Sequence, residues 1–220
     1  MREEYIKKIL ARIRKSFLVF LVCIIIIFAG GAGFYIYAHY QNKSGYQKYI
    51  QARTFYFQRE ENGEQQINNL NKAVKLFREL LGMSFWSGNK EEVFFYLGDS
   101  LYRLGDTEGS LKVFSEFNRR YPSSYFSPFV KLKIAFIYEE KKDYAEAIKF
   151  YRSIYQDYGR SAVAPEALLG EARCQEASGN IEEAQKLYQT LISRYPLSFQ
   201  AQIAEAKVQQ LNIKKENQKG

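Results

Sequence analysis

Tyr195-Pro196-Leu197-Ser198-Phe199-Gln200-Ala201 is the stretch whose spacing sets the fold. Its tyrosine follows Tyr158 of Tyr158-Gly159 by 37 residues, and that one follows Tyr121 of Tyr121-Pro122 by 37. Ser124, Ser161 and Ser198 keep the same interval, as do the small residues Ser110, Ala147 and Ala184 and the aromatics Phe114, Tyr151 and Tyr188. An interval held by several residue types at once marks a repeat array, in which each unit buries its apolar face only against its neighbours.

Within one interval the apolar pattern is helical. Ile134, Ala135 and Tyr138 form one stripe, and Ala147, Ile148, Tyr151 and Ile154 form a second. Offsets of three and four put such residues on one helix face. Lys141-Lys142-Asp143-Tyr144 between them is a polar turn of hairpin length. Ala135 opposite Ala147 lets two backbones approach, and Tyr151 fills the wedge toward the next unit. Proline after the second helix ends it, because it lacks an N–H and disfavours a helical residue before it.

These positions resemble the tetratricopeptide repeat, lengthened to 37 residues. One unit carries Phe94, Leu97, Gly98, Leu101, Gly105, Ser110, Phe114, Phe117 and Pro122. The next carries Ala135, Tyr138, Ala147, Tyr151 and Ile154, with Gly159 in the proline position. The last carries Leu168, Ala172, Gly179, Ala184, Tyr188, Leu191 and Pro196. The Tyr-Pro-x-Ser-x-x-Ala link is similar to that of bacterial envelope repeat proteins, notably the β-barrel assembly lipoprotein and the coordinator associated with the Tol–Pal system. The resemblance implies an all-α solenoid of helix hairpins over residues 89–213, three repeats and a closing helix, with residues 214–220 as a disordered tail. A partial unit precedes it: Ala73 and Phe77 stand one interval before Ser110 and Phe114, and residues 45–60 and 65–82 read as a helix pair within a juxtamembrane segment, residues 40–88.

Residues 17–38 contain no charge. At 1.5 Å per residue those 22 residues span roughly 33 Å, enough for a hydrocarbon core of about 30 Å. Arg2, Lys7, Lys8, Arg12, Arg14 and Lys15 precede them. Cationic flanks stay in the cytoplasm, which places residues 1–16 inside, a transmembrane helix at residues 17–39, and the repeats outside. Tyr35, Tyr37, His39 and Tyr40 suit the outer interface. A cleaved signal sequence would need a shorter apolar run; Ala29-Gly30-Gly31 could serve as its cleavage site, but Phe34-Tyr35-Ile36-Tyr37 prolongs the run past it. Cys23 lies mid-span after Val22, which excludes a lipoprotein site.

The 220 residues carry a formal charge of +8, of which the first 16 contribute +4, so the basic balance is partly a topology signal. Acids and bases alternate along the later helices, without the basic stacking face that nucleic acid requires. Cys23 and Cys174 fall on opposite sides of the proposed boundary and cannot pair with each other; Cys174 reads as a small packing residue. The single histidine, His39, leaves the repeat region without a His-based triad or zinc site. There is no phosphate-binding glycine loop, and carboxylate pairs such as Glu139-Glu140 and Glu182-Glu183 read as solvated helix positions. The expectation is a non-enzyme without cofactor, metal or small-molecule substrate.

By the resemblance, the concave face is lined by Phe95, Asp99 and Tyr102, then Phe129, Leu132 and Phe136, then Leu169, Arg173 and Glu176. The carboxylate-clamp asparagine positions hold Asp99, Phe136 and Arg173, so a clamp is not supported. Two readings stand for the aromatics: an exposed groove for an apolar segment, or packing on the neighbouring unit. The layout is similar to that of the ancillary subunit of the Sec translocon. It implies an inner-membrane, single-pass protein-interaction scaffold whose periplasmic repeats bind translocation, chaperone or envelope-assembly proteins, with lipid around the anchor. The alternative class is a structural organiser tying the inner membrane to the cell wall or a division complex.

Overall fold

The computed structural model describes residues 2–84 and 86–217, the first 16 and a few others by backbone course alone. Among the described residues every regular element is a helix: α1 (Arg2–Phe57), α2 (Gly63–Gly82), α3 (Lys90–Arg103), α4 (Thr107–Arg120), α5 (Ser127–Glu140), α6 (Tyr144–Asp157), α7 (Ala164–Ala177), α8 (Ile181–Arg194) and α9 (Phe199–Asn217). They form a tetratricopeptide-like α-solenoid of antiparallel hairpins, each helix packed against the next.

The two helices of a unit differ in composition because they differ in place. The second helices α4, α6 and α8 form the outer layer and bury one stripe each, Ala147, Tyr151 and Ile154 in α6. The first helices α5 and α7 are packed on two sides and are buried around more of their girth, as Val130, Leu132, Ile134, Ala135 and Ile137 in α5 illustrate. Small residues set the approach. A Cβ on Gly98 would lie 2.3 Å from Phe114 Cε1, and one on Gly170 would lie 2.4 Å from Tyr151 Cζ. The Ser110 hydroxyl donates to the Gly98 carbonyl at 2.8 Å, closing that hairpin.

The turns inside the hairpins repeat in detail. Gly105, Lys142 and Gly179, 37 apart, take φ of 83°, 60° and 83°. Asp106 and Asp143 then cap the second helices, accepting from the backbone N–H of Gly109 and Glu146. The links between units repeat too. Ser124, Ser161 and Ser198 donate backbone N–H bonds to Tyr121, Tyr158 and Tyr195. The Tyr195 hydroxyl reaches back to the Gly159 carbonyl at 2.9 Å, and Tyr158 reaches back to Pro122 at 3.4 Å.

At the N-terminal end the structure differs from the sequence expectation. The apolar stretch and the first helix of the partial unit are one helix, α1, with no break at residue 39. The chain there lacks a proline, and Gly45 serves packing: a Cβ on it would lie 2.3 Å from Trp86 Cδ1. Asn42 accepts from the Ser87 backbone N–H at 3.0 Å, so the α2–α3 link is pinned to α1 just above the apolar run. The helix ends at Phe57, and α2 begins earlier than expected because Asn62 caps it by accepting from Glu64 N–H at 2.9 Å. Along α1 the side chains of Phe20, Ile26, Phe28 and Ile36 are exposed, and the helix is long and apolar enough to cross a membrane. At the other end α9 continues to Asn217, through the first residues expected to be a tail; residues 218–220 lie outside the described residues.

Candidate interaction surface

The first helices stand side by side and in parallel, so their free faces form one inner surface. Acid–base pairs stitch that surface across unit boundaries. Asp99 of α3 is buried; it accepts from the Tyr56 hydroxyl of α1 at 2.8 Å, and Lys133 Nζ of α5 lies 2.6 Å from its second oxygen. Glu139 of α5 takes a two-point contact from Arg173 of α7, at 2.9 and 3.0 Å, while Arg173 also donates to Glu166 at 3.2 Å. Glu176 of α7 accepts from Lys207 of α9 at 3.2 Å and from the Tyr188 hydroxyl at 2.8 Å. Each carboxylate thus ties its own unit to the next one.

The electrostatics follow from that crowding. Burial, then the bond from its hydroxyl to Glu139, pushes the Tyr151 phenol far above its ordinary range, so it stays a neutral donor. Burial works against the Arg173 guanidinium, but the bond to Glu139 outweighs it and its pKa rises. Glu139 and Glu140 are therefore not idle solvated positions: Glu140 accepts from the Tyr102 hydroxyl. Lys133 also lies over the Tyr102 ring, 5.5 Å from its centroid.

The nine residues expected to line this face fall into three groups. Asp99, Arg173 and Glu176 belong to the ladder of ion pairs. Leu132 and Leu169 are buried and belong to the core clusters of their units. Phe95, Tyr102, Phe129 and Phe136 are half-buried and present ring surface. Phe136 packs edge-on against Tyr151 at 6.0 Å, whereas Phe95 and Phe129 meet at 6.4 Å and form a patch with Phe126 and Tyr125. Beside that patch lies a cavity of about 580 Å³ between two successive links, walled by Tyr125, Pro128 and Phe129 on one side and by Tyr158, Gly159 and Arg160 on the other. Its size falls within the range of pockets that take a small ligand or a short peptide segment.

Sequence reasoning missed Lys133, Glu166 and Lys207, and it missed Tyr125 and Phe126. The pairs run 34 residues from Asp99 to Lys133 and from Glu139 to Arg173, so a search at the repeat interval of 37 passes over them. Among the described residues no cluster of His, Cys, Asp or Glu is arranged to hold a metal ion. The surface offers apolar rings, fixed charges and hydrogen-bond partners, which are the means of peptide recognition.

Two models of the tetratricopeptide repeat match the chain, one over residues 92–124 and one over residues 139–208. No curated protein sequence matches it. Among solved structures, the MamA RS-1 ArsTM double mutant is similar with a TM-score of 0.59 at 14% identity, over 81% of this chain and 87% of that one. A tetratricopeptide repeat protein from Parabacteroides merdae is similar with a TM-score of 0.58 at 12% identity, over 80% of this chain and 60% of that one. YrrB, described as a TPR protein with an unusual peptide-binding site, is similar with a TM-score of 0.50 at 13% identity, over 65% of this chain and 72% of that one. At such identities the likeness concerns the fold.

Proposed function

We propose that this protein is a membrane-anchored scaffold that gathers protein partners on a repeat array. The observation that carries the reading is α1. One uninterrupted helix holds a run of exposed apolar side chains and then becomes the first helix of the array. Apolar side chains exposed over that length need lipid around them. The six basic residues before the run orient it, with the N-terminus in the cytoplasm and the array on the outer face of a bacterial inner membrane. The partner is a protein segment, docked on the inner face through Phe95, Tyr102, Phe129 and Phe136. Leu132 and Leu169 shape that face from beneath, and Asp99, Arg173 and Glu176 hold it rigid. The peptide site named for YrrB is in keeping with that class of ligand. The resemblance to envelope repeat proteins suggests work in translocation, chaperone transfer or envelope assembly.

Two measurements on one set of cells test this. Asn180, in an exposed hairpin turn, is replaced by Cys, and intact spheroplasts are treated with a membrane-impermeant thiol reagent. Labelling before lysis is the expected result; labelling only after lysis would reverse the topology. In the same cells a photo-crosslinking side chain at Phe95 should capture protein, and Phe129→Ser should abolish capture while leaving helix content intact. A stable Phe129→Ser protein with unchanged crosslinks would remove the aromatic patch from the binding surface.

A further inference from the structure

The array has two edges of different character, one with exposed apolar tips and its acids already paired, the other acidic. Because the helices alternate in direction, the links after α2, α4, α6 and α8 all lie on the edge where α1 enters, and the hairpin turns all lie on the far edge. Three contacts fix this. Lys48 of α1 pairs with Glu79 near the end of α2, and the hydroxyls of Tyr49 and Tyr56 donate to Glu92 and Asp99 in that order along α3. Ser87 in the first link bonds to Asn42, which stands four residues, roughly 6 Å, beyond the end of the apolar run. The following links are joined in series by the back-reaching tyrosines, so they form one strip.

That strip carries the most exposed large hydrophobic side chains described beyond α1: Leu197 at 99%, Tyr125 at 78% and Phe199 at 69%. The last turns, links and first turns along it hold Lys90, Arg119, Arg120, Arg160 and Arg194, against Glu79, Glu91, Glu92, Glu116, Asp157 and Glu166, each of which already has a partner within the array. Glu116 is paired with Arg119 and Arg120, and Asp157 with Lys131, while Arg160 has no ion-pair partner among the described residues and stands at the rim of the link cavity. The opposite edge is acidic. Glu60, Glu61, Asp106, Asp143, Glu182 and Glu183 cluster at its turns, outnumbering Arg59, Lys141 and Lys142.

We infer that the link edge lies on the surface of the bilayer that holds α1, with its arginines at anionic phospholipid headgroups and Tyr125, Leu197 and Phe199 in the interfacial layer. This rests on the anchor proposed above. An apolar tip beside a cation is what the headgroup layer accepts, and the acidic far edge is repelled by the same surface, so both edges favour one orientation. Docked in this way, the array is held low over the membrane and its inner face opens sideways.

The full chain is reconstituted into vesicles of phosphatidylcholine with phosphatidylglycerol, and of phosphatidylcholine alone. A fluorophore is placed at Leu197→Cys, or at Glu182→Cys on the far edge, with Cys23→Ala and Cys174→Ala as background; a spin label on the lipid headgroup is the quencher. The expected result is strong quenching at position 197, little at 182, and loss of the difference in pure phosphatidylcholine or at high salt. Arg160→Gln and Arg194→Gln should each lower the ratio of docked to undocked protein by about fivefold, the worth of roughly one charge near an anionic surface. A chain stripped from the vesicles by alkaline carbonate overturns the anchor and the docked edge together. A chain that is retained but equally unquenched at both positions overturns the docked edge alone. Position 197 unquenched by lipid in vesicles yet shielded from aqueous quencher in native membranes assigns the edge to a protein partner and likewise overturns it.

Discussion

Lys142 occupies the left-handed backbone region that its equivalents Gly105 and Gly179 occupy without cost. A side chain there is disfavoured by roughly 1–2 kcal/mol, and glycine gives part of that back as unfolded-state entropy. Lys142→Gly should therefore stabilise the array by about 0.5–1 kcal/mol, read as a higher urea midpoint with an unchanged slope. A lower midpoint would mean that the lysine has another role. The hairpin turn itself was legible from its polar residues and from the glycines one interval away, but nothing in a lysine announces a positive φ. Cys174 makes a second case. It is fully buried, and burial, reinforced by the nearby Glu139 charge, pushes its thiol up to about 12. Thiolate is the reactive form, so the folded protein should resist thiol reagents at neutral pH, and labelling should proceed at the rate of unfolding. Because the folded thiol titrates above the ordinary 9.0, its contribution to stability is complete below pH 9 and is lost as pH climbs toward 12. Cys174→Ala should flatten that part of the alkaline limb. Fast labelling of native protein at pH 7 would contradict the packing.

At the scale of the elements, α6 and α7 are joined by a feature that the other units lack. Glu171 is fully buried at the position where earlier units hold Leu97 and Ile134. It accepts from Arg152 at 2.6 and 3.1 Å and from the Tyr155 hydroxyl at 2.6 Å. Removing one partner of a buried pair strands the other charge. The Arg152 side chain is 46% exposed, so water takes up part of the cost, and Arg152→Ala should destabilise by about 2–3 kcal/mol. Adding Glu171→Ile should recover most of the loss, since the site then matches its equivalents. Failure of the double variant to recover would mean that the carboxylate is held for something other than packing. The hairpins, their small-residue contacts and the polar turns were all legible from the 37-residue interval. The glutamate was not, because an acid in a helix reads as solvated until its neighbours in space are known. The inner-face residues were legible as positions but not as roles: Leu132 and Leu169 could be told from Phe129 only by burial.

For the whole molecule, the boundary at residue 39 was the part the sequence hid. Composition changes there from apolar to mixed, and a change of composition reads as a change of element, although the helix runs on. The consequence lies in torque. A stiff shaft with no swivel passes any turn about its own axis directly to what it carries. One residue inserted after Tyr40 should swing the array by about 100° and raise it about 1.5 Å relative to the span, whereas seven inserted residues should return it to within about 20° of its original heading. Partner capture in cells should therefore fail with one added alanine and return with seven. Capture that ignores the single insertion would mean that the array swivels on its anchor. If it does not, then with the apolar stretch as the anchor proposed above, a protein that grips that stretch inside the bilayer would aim the array without ever touching it.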